Sequence, residues 1–196
     1  MGTVIVIQFV TLDGVVDDPD GRWGADYGGW AFRFGPEAIA GDTFRLGSTL
    51  DTGVLCFGRR TWEHFSRLWP ARTGPFPDAM NGARKVVASR GAPDLGAWAN
   101  SELLKGDLLD GVDRLAAERD VVVIGSTSIV RALQDSGRIG EYRLLTFPTV
   151  IGDAHATRLF EASAALRLVW VDAAGPATLT VLAADAGSAA GALGRA

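Results

Sequence analysis

Cysteine and histidine are scarce in this chain of 196 residues, which has one cysteine, Cys56, and two histidines. A single cysteine excludes an internal disulfide, and so few thiols and imidazoles cannot form a Cys/His zinc site, so we predict no metal. Cys56 lies in the apolar run GVLCFG, which is typical of an inert core residue. Nothing in the cysteine usage points to an oxidising compartment, so we expect a cytoplasmic protein.

Long apolar runs and excess positive charge are also lacking. The first apolar run, VIVIQFV, has the length of a strand and is far shorter than the roughly 20 residues that cross a bilayer. We therefore predict neither a signal peptide nor membrane contact. The 19 Lys and Arg against 23 Asp and Glu give a net charge of −4, which excludes a general attraction to nucleic acid. The expected partner is a small-molecule substrate.

Runs rich in β-branched residues alternate with helical patterns along the chain. Several runs are almost wholly apolar, as strands buried on both faces must be. This alternation predicts an α/β fold: a mixed, mainly parallel sheet with flanking helices and a C-terminal antiparallel hairpin. One domain would span residues 1–183, with a flexible tail at 184–196. We predict strands at 3–10, 53–57, 85–89, 120–125, 142–152, 166–172 and 177–183, and helices at 36–50, 60–69, 107–118 and 127–136.

The stretch CFGRRTWEHF places two arginines between a glycine and a predicted helix. The N–H groups at a helix start attract anions, and Gly58 would let a phosphate approach the backbone closely. Arg59 and Arg60 would add charge to this anion site. A solvated arginine pair beside a helix start would have the same sequence, so the stretch alone leaves both interpretations open.

Two further strand ends favour the anion site. VVVIGSTSIVRAL has Gly125 between a buried strand and a helix whose start could be capped by Ser126, Thr127 or Ser128, although it lacks the full G-x-G-x-x-G pattern. KVVASR ends in Ser89 and Arg90. Three phosphate-compatible strand ends in one crevice predict a dinucleotide, and the extra positive charge favours NADPH over NADH.

Two carboxylates are candidates for the proton-transfer step. Asp42 falls on the apolar stripe of the helix predicted at 36–50, where a carboxylate is costly unless it is paired, and carboxylates in a cleft are good candidates for orienting and protonating a ligand. Asp13 follows the first strand in LDG, a sequence that is also an ordinary tight turn. The connection at 17–35 is long and aromatic, with Trp23 and Trp30, and would suit a lid over a planar ring.

Taken together, FVTLDGVV, CFGRRTWEHF, KVVASR, VVVIGSTSIVRAL and EYRLLTFPTVIGD resemble the dihydrofolate reductase superfamily. The resemblance is closest to the branch with the reductase domain of the bifunctional riboflavin-biosynthesis protein (RibD C-terminal domain), and it covers about residues 3–160 in family order. It implies a dihydrofolate reductase-like fold, bound NADPH and a homodimer. The implied cofactor contacts at the strand ends are Gly58, Arg59, Arg60, Thr61, Ser89, Arg90, Gly125, Ser126, Thr127 and Ser128.

The resemblance also implies a reaction. An NADPH-dependent reductase would pass a hydride to a small heterocycle or a ribosylamino-pyrimidine, similar to 5-amino-6-(5-phosphoribosylamino)uracil reductase. Val10, Val15, Val16 and Asp17 would border the nicotinamide, and Asp42 or Asp13 would supply or steer the proton. Alternatives are dihydrofolate reduction, a non-catalytic ligand-binding module on the same scaffold, and an interaction protein whose arginine pair recognises an acidic partner.

Overall fold

The computed structural model describes residues 1–184, which form one mixed eight-stranded sheet with helices on both faces. The strand order is β4-β3-β2-β5-β1-β6-β8-β7, in which β1 to β6 are parallel and β8 runs antiparallel to both β6 and β7. The predicted fold class is confirmed. The strands are β1 (Val4–Thr11), β2 (Val54–Gly58), β3 (Arg84–Ala88), β4 (Ser101–Leu103), β5 (Val121–Ile124), β6 (Glu141–Phe147), β7 (Leu166–Ala174) and β8 (Ala177–Ala184).

Five α-helices accompany the sheet within residues 1–184: α1 (Thr49–Thr52), α2 (Arg59–Leu68), α3 (Pro75–Gly82), α4 (Leu108–Glu118) and α5 (Thr127–Asp135). The helices predicted from periodicity at 60–69, 107–118 and 127–136 correspond to α2, α4 and α5. Neither α3 nor β4 was predicted from the sequence. Two prolines lie in the first turn of α3, where proline has no helical hydrogen bond to lose. In the sequence the same prolines are typical of a loop. No helix in the described part of the chain is long and apolar enough to cross a membrane.

The central strands are apolar because both of their faces are covered. Even-numbered residues of β1, such as Val6 and Val10, pack with α4 and α5 on one face. Odd-numbered residues, such as Ile5 and Ile7, pack on the other face with Trp62 of α2. Side chains of a strand alternate between faces, so a strand buried on both sides needs a continuous apolar run.

The predicted helix at 36–50 is wrong. This segment consists of a 3₁₀ turn at Pro36–Ile39, irregular backbone and the single turn α1. Gly41 and Gly47 have φ angles of 68° and 50°, which belong to the left-handed region and interrupt a right-handed helix. The carboxylate of Asp42 accepts hydrogen bonds from the N–H groups of Leu46, at 2.8 Å, and Gly47, at 2.6 Å. Asp42 therefore stabilises a loop turn and is not on a helix stripe.

The C-terminal hairpin is present as β7 and β8, joined at Gly175 in a left-handed conformation. The strand predicted at 142–152 ends at Phe147, since Pro148 follows and has no N–H to continue a ladder. The tail predicted at 184–196 lies, beyond residue 184, outside the described residues.

A fully buried lysine holds the far edge of the sheet together. Lys85 in β3 is 0% exposed, and its ammonium donates hydrogen bonds to the carbonyl oxygens of Asn81, Ala83 and Ala99 at 2.9, 2.6 and 3.1 Å. Its Nζ lies 4.5 Å from the centre of the Trp98 ring. Burial lowers the pKa of Lys85 to about 8, so the group remains an ammonium at neutral pH. One cation thus ties the end of α3 to the start of β4.

Replacing this cation should destabilise the fold. We expect Lys85→Met to lower the free energy of unfolding by at least about 2 kcal/mol, because three carbonyl oxygens lose the buried ammonium that donates to them. Urea denaturation at pH 7 measures the change. The exposed Lys105→Met is the control and should stay within about 0.5 kcal/mol of wild type. Equal stability of the two variants would contradict a structural role for the Lys85 ammonium.

Candidate functional site

A cleft of about 1280 Å³ opens along the edge of the sheet where the parallel strands end. Its walls include residues at or just beyond the carboxyl ends of β2, β3 and β5, together with the second half of β1. Ligands of open α/β sheets bind at this edge, in the crevice beyond the strand ends. Because pockets for one small ligand typically measure roughly 300–1,000 Å³, this cleft has room for a dinucleotide and a second small molecule.

The hydroxyl group of Ser126 joins the starts of two helices at this edge. Its Oγ accepts a hydrogen bond from the N–H of Gly58 at 2.7 Å and lies 2.9 Å from Oγ1 of Thr61. Gly58 directly precedes α2, and Ser126 directly precedes α5. Neither helix has a side-chain cap, so the first N–H groups of both are available to an anion. The two helix starts form one electropositive corner.

Glycine is required at positions 58 and 125 of this corner for two different physical reasons. A Cβ on Gly58 would lie 2.8 Å from the Oγ of Ser126, so any side chain there would displace the bridging hydroxyl. Gly125 has a φ of 58°, a left-handed conformation that glycine adopts without penalty. Ser126 has a φ of 61° despite its side chain, and such strained residues concentrate at functional sites. The space that the Ser126 hydroxyl needs is therefore enough to explain why residue 58 is a glycine. The predicted approach of a phosphate would be an additional reason.

Three arginines bring positive charge to the corner, and two of them have partners. The guanidinium of Arg59 lies 3.7 Å from the Glu63 carboxylate, and both side chains are largely exposed. The guanidinium of Arg60 stacks over the ring of Trp23 at 4.3 Å from its centre. Arg90 is exposed just after β3. An exposed pair such as Arg59–Glu63 is weak, so Arg59 can turn to a phosphate at little cost.

The segment that follows β1, residues 17–31, forms one wall of the cleft. Asp18 is 2% exposed, and its carboxylate accepts two backbone N–H bonds from the same segment, at 2.8 and 2.9 Å. The Oδ2 of Asp20 lies 3.2 Å from the Nε2 of His64 on α2, and this hydrogen bond lowers the pKa of Asp20. With the stack of Arg60 on Trp23, these contacts fasten the segment to α2.

Within this segment the two predicted lid tryptophans differ. Trp23 is 53% exposed beside the cleft, as a lid residue would be. Trp30 is fully buried, and its Nε1 donates to the backbone carbonyl of Asp17 at 2.9 Å. Trp30 therefore anchors the segment in the core, which explains how a long connection keeps one position.

Most of the residues that the sequence analysis assigned to the cofactor face this cleft. Those brought together are Val16, Asp17, Gly58, Arg59, Arg60, Thr61, Ser89, Arg90, Gly125, Ser126, Thr127 and Ser128. Val10 and Val15 do not line it, since Val10 is a core residue and Val15 is fully buried in a bridge with Arg158. The direct contacts of these residues with a cofactor stay predictions.

Neither carboxylate predicted to be catalytic lines the cleft. Asp13 accepts hydrogen bonds from the hydroxyl of Thr11 at 2.6 Å and from the N–H groups of Gly152 and Ile151 at 2.9 and 3.2 Å. Burial raises the pKa of Asp13, but these hydrogen bonds outweigh it and lower the pKa to about 2. Asp13 is therefore ionised at neutral pH and fixes the loop after β6. Asp42 has the loop role described above.

Four carboxylates of residues 1–184 line the cleft, those of Asp17, Asp18, Asp20 and Asp107, and Asp17 is the one that lies nearest in sequence to the end of β1. Its Oδ2 accepts from the hydroxyl of Tyr27 at 3.0 Å and from the N–H of Thr157 at 3.3 Å. Burial and this hydrogen bond raise the pKa of Tyr27 to about 12, so the phenol stays a donor. The Oδ1 of Asp17 is buried and accepts no hydrogen bond from any side chain or backbone group in residues 1–184.

Several further residues line the cleft that were not predicted from the sequence. Gln8 faces it from the middle of β1, and Asp107 faces it from the cap of α4, where its carboxylate accepts from the N–H of Leu109 at 2.8 Å. An aromatic wall on the other face of the sheet is formed by Phe9, Phe44, Phe65, Trp69 and Phe76. The one available signal was Gln8, which is the single polar residue in the run VIVIQFV.

Metal chemistry has no support in the described part of the chain. Among residues 1–184 no group of three or more His, Cys, Asp or Glu side chains could hold a metal ion. Cys56 is buried, and burial raises the pKa of its thiol to about 12, so it is no nucleophile.

Comparisons with known proteins agree with this geometry. The chain resembles a solved structure of a putative riboflavin biosynthesis protein from Shewanella sp. PV-4, with 20% sequence identity and a TM-score of 0.68 over 93% of this chain and 98% of that one. It also resembles RibD from Acinetobacter baumannii, with 14% identity and a TM-score of 0.62 over 94% of this chain and 58% of that one. A pyrimidine reductase-like protein from Corynebacterium diphtheriae is similar too, with 12% identity and a TM-score of 0.60 over 93% of this chain and 92% of that one. At these identities the likeness shows the shared fold. No curated protein matches the chain significantly in sequence.

A match to a whole family extends over nearly the entire chain. The sequence model of the RibD C-terminal domain aligns with residues 2–179, which include every strand from β1 to β7 and both helix starts of the electropositive corner. The chain belongs to the RibD C-terminal domain family.

Proposed function

We propose that this protein is a pyridine-nucleotide-dependent reductase that prefers NADPH. Its substrate is a small heterocycle or ribosylamino-pyrimidine, similar to that of 5-amino-6-(5-phosphoribosylamino)uracil reductase of riboflavin biosynthesis. Membership of the RibD C-terminal domain family supports a reductase of this kind. The observation that carries the proposal is the electropositive corner, where Ser126 joins two uncapped helix starts beside the arginines.

The residues present fit a dinucleotide with a further phosphate. The two helix starts offer backbone N–H groups for a pyrophosphate, as in other α/β nucleotide sites. Arg59, Arg60 and Arg90 exceed what a pyrophosphate requires and would hold a 2′-phosphate, for which guanidinium groups are well suited. The remaining length of the cleft, past Gly125 to β1, would accept the nicotinamide ring.

Catalysis in such a site depends on positioning and on the exclusion of water. When bound, reduced nicotinamide supplies the hydride. The protein would hold the acceptor ring against the aromatic wall and close the site with the segment 17–31. The carboxylate of Asp17 lies near the end of β1, and its unpaired Oδ1 would hold the water that delivers the proton, or would orient the substrate by accepting from a ligand N–H.

We also propose that the protein is a homodimer formed through β7. This strand lies at the edge of the sheet, so one row of its backbone groups has no neighbouring strand. Leu168, Val169 and Val171 are 56%, 50% and 50% exposed, which is unusual for three aliphatic residues so close in sequence. A second copy of the same strand would cover them.

The cofactor proposal is tested by titration with NADPH and NADH, followed by tryptophan fluorescence. We expect micromolar affinity for NADPH and at least tenfold weaker affinity for NADH. Arg59→Ala combined with Arg60→Ala should raise the Kd for NADPH by about 10- to 100-fold and remove most of the preference, because one or two charge-assisted hydrogen bonds are lost.

The matched control for this titration is Arg84→Ala combined with Arg138→Ala. It removes the same charge at residues that do not line the cleft, where both arginines form exposed pairs with Glu102 and Asp113. We expect it to leave both Kd values within about twofold of wild type. A wild-type protein that binds neither nucleotide would overturn the reductase proposal.

The dimer proposal is tested by light scattering of the eluate from a sizing column. Wild type should elute at twice the monomer mass, and Val169→Asp combined with Val171→Asp should yield monomers, since burying two carboxylates at the contact is prohibitive. Val150→Asp is the control, because Val150 is 63% exposed and belongs to the loop after β6, outside β7. A monomeric wild type, or a double variant that still dimerises, would refute an interface at β7.

A further inference from the structure

Gln8 is a polar residue among apolar neighbours in β1. It is the one polar residue in the run VIVIQFV, and it is buried, with 8% of its surface exposed. The strand has side chains that alternate between faces, so Gln8 lies on the same face as Val6 and Val10, toward α5. Every other buried position of that face within β1 is aliphatic.

The amide of Gln8 lacks a hydrogen bond that it would have in a structural role. Its Oε1 is buried and accepts none from any group in residues 1–184. A buried amide without a partner destabilises a fold, because the interaction with water is lost and not replaced. Structural glutamines are usually satisfied, as Gln134 shows by donating to the carbonyl of Leu159 at 3.3 Å.

The side chain of Gln8 lies at the cleft, where a bound ligand could supply the missing hydrogen bond. The register of β1 with β5 ends at the pair Ile7 and Ile124, and the next residues along the two strands are Gln8 and Gly125. Gln8 therefore lies where the sheet opens, next to the turn of the electropositive corner, and it lines the cleft. Asp17, with its own unpaired Oδ1, lines the same cleft. Two buried acceptors in one cleft call for a ligand with N–H donors.

We propose that Gln8 is a specificity-determining residue that pairs with an amide edge of the bound ligand. An amide side chain presents an acceptor beside a donor, and its complement is a group –C(=O)–NH– or –C(=O)–NH₂ in the plane of the ligand. This proposal rests on the proposed function, which brings two such groups to the cleft: the ring lactam of a pyrimidinone substrate and the carboxamide of nicotinamide.

Two pairs of probes distinguish these sources. The substrate pair is 5,6-diaminouracil and 5,6-diamino-1,3-dimethyluracil, which lacks the ring N–H groups. The cofactor pair is NADP⁺ and its 3-acetylpyridine analogue, in which a methyl ketone replaces the carboxamide. Dissociation constants for all four are measured by calorimetry on wild type, Gln8→Met and the control Gln134→Met. Met has nearly the volume of Gln, so steric effects of the methyl groups persist in the variant.

We expect wild type to prefer the amide-bearing member of one pair by at least tenfold, and Gln8→Met to lose that preference. Loss in the pyrimidine pair assigns Gln8 to the substrate, and loss in the nucleotide pair assigns it to the cofactor. Gln8→Glu, which keeps an acceptor oxygen, should retain more of the preference than Gln8→Met. Gln134→Met should resemble wild type in both pairs.

Thermal unfolding separates recognition from a structural role. Because the buried Oε1 of Gln8 lacks a partner, Gln8→Met should unfold at the same temperature as wild type or higher. Unchanged preferences in both probe pairs would overturn the proposal, whether or not the unfolding midpoint drops. Failure of wild type to bind NADP⁺ would count against the proposed function, and the pyrimidine pair would still decide the role of Gln8.

Discussion

The bridge from the Ser126 hydroxyl to Gly58 and Thr61 is the interaction on which the cleft depends. It brings together the starts of α2 and α5, which follow adjacent strands β2 and β5 of the sheet. The bridge needs a glycine at 58, because a Cβ would collide with the hydroxyl, and a left-handed backbone at Ser126. A local strain is thus maintained by a contact between residues 68 positions apart in the chain.

A second set of contacts determines how the cleft is covered. Trp30 anchors the segment 17–31 in the core, and the carboxylate of Asp18 folds the segment onto itself. The pairing of Asp20 with His64 then attaches it to α2, the helix that carries Arg59 and Arg60. The wall of the cleft and its electropositive corner are therefore joined through α2.

The sequence predicted the fold better than it predicted the acids of the site. The apolar runs in β1, β2 and β5 follow directly from burial on both faces of a sheet, so they can be recognised in the sequence. The segment 36–50 has helical spacing too, but its glycines adopt left-handed conformations, and the helix that would have carried Asp42 is absent. Asp13 was correctly placed in a turn, yet its hydrogen bonds reach Ile151 and Gly152, which are distant in sequence.

By itself, the sequence determined the α/β class, the alternation of most strands and helices along the chain, and the glycine and arginine positions at the strand ends, because each depends on local pattern and on the rule that parallel strands end at one edge. Only the tertiary structure decided which polar groups are left without partners. Gln8 and Asp17 carry unpaired buried acceptors, whereas the carboxylates of Asp13 and Asp42 are satisfied by loop N–H groups. The physical reason is that hydrogen-bond satisfaction is a property of neighbours in space. Asp42 finds its partners within five residues, but Asp13 and Asp17 meet N–H groups about 140 residues further along the chain.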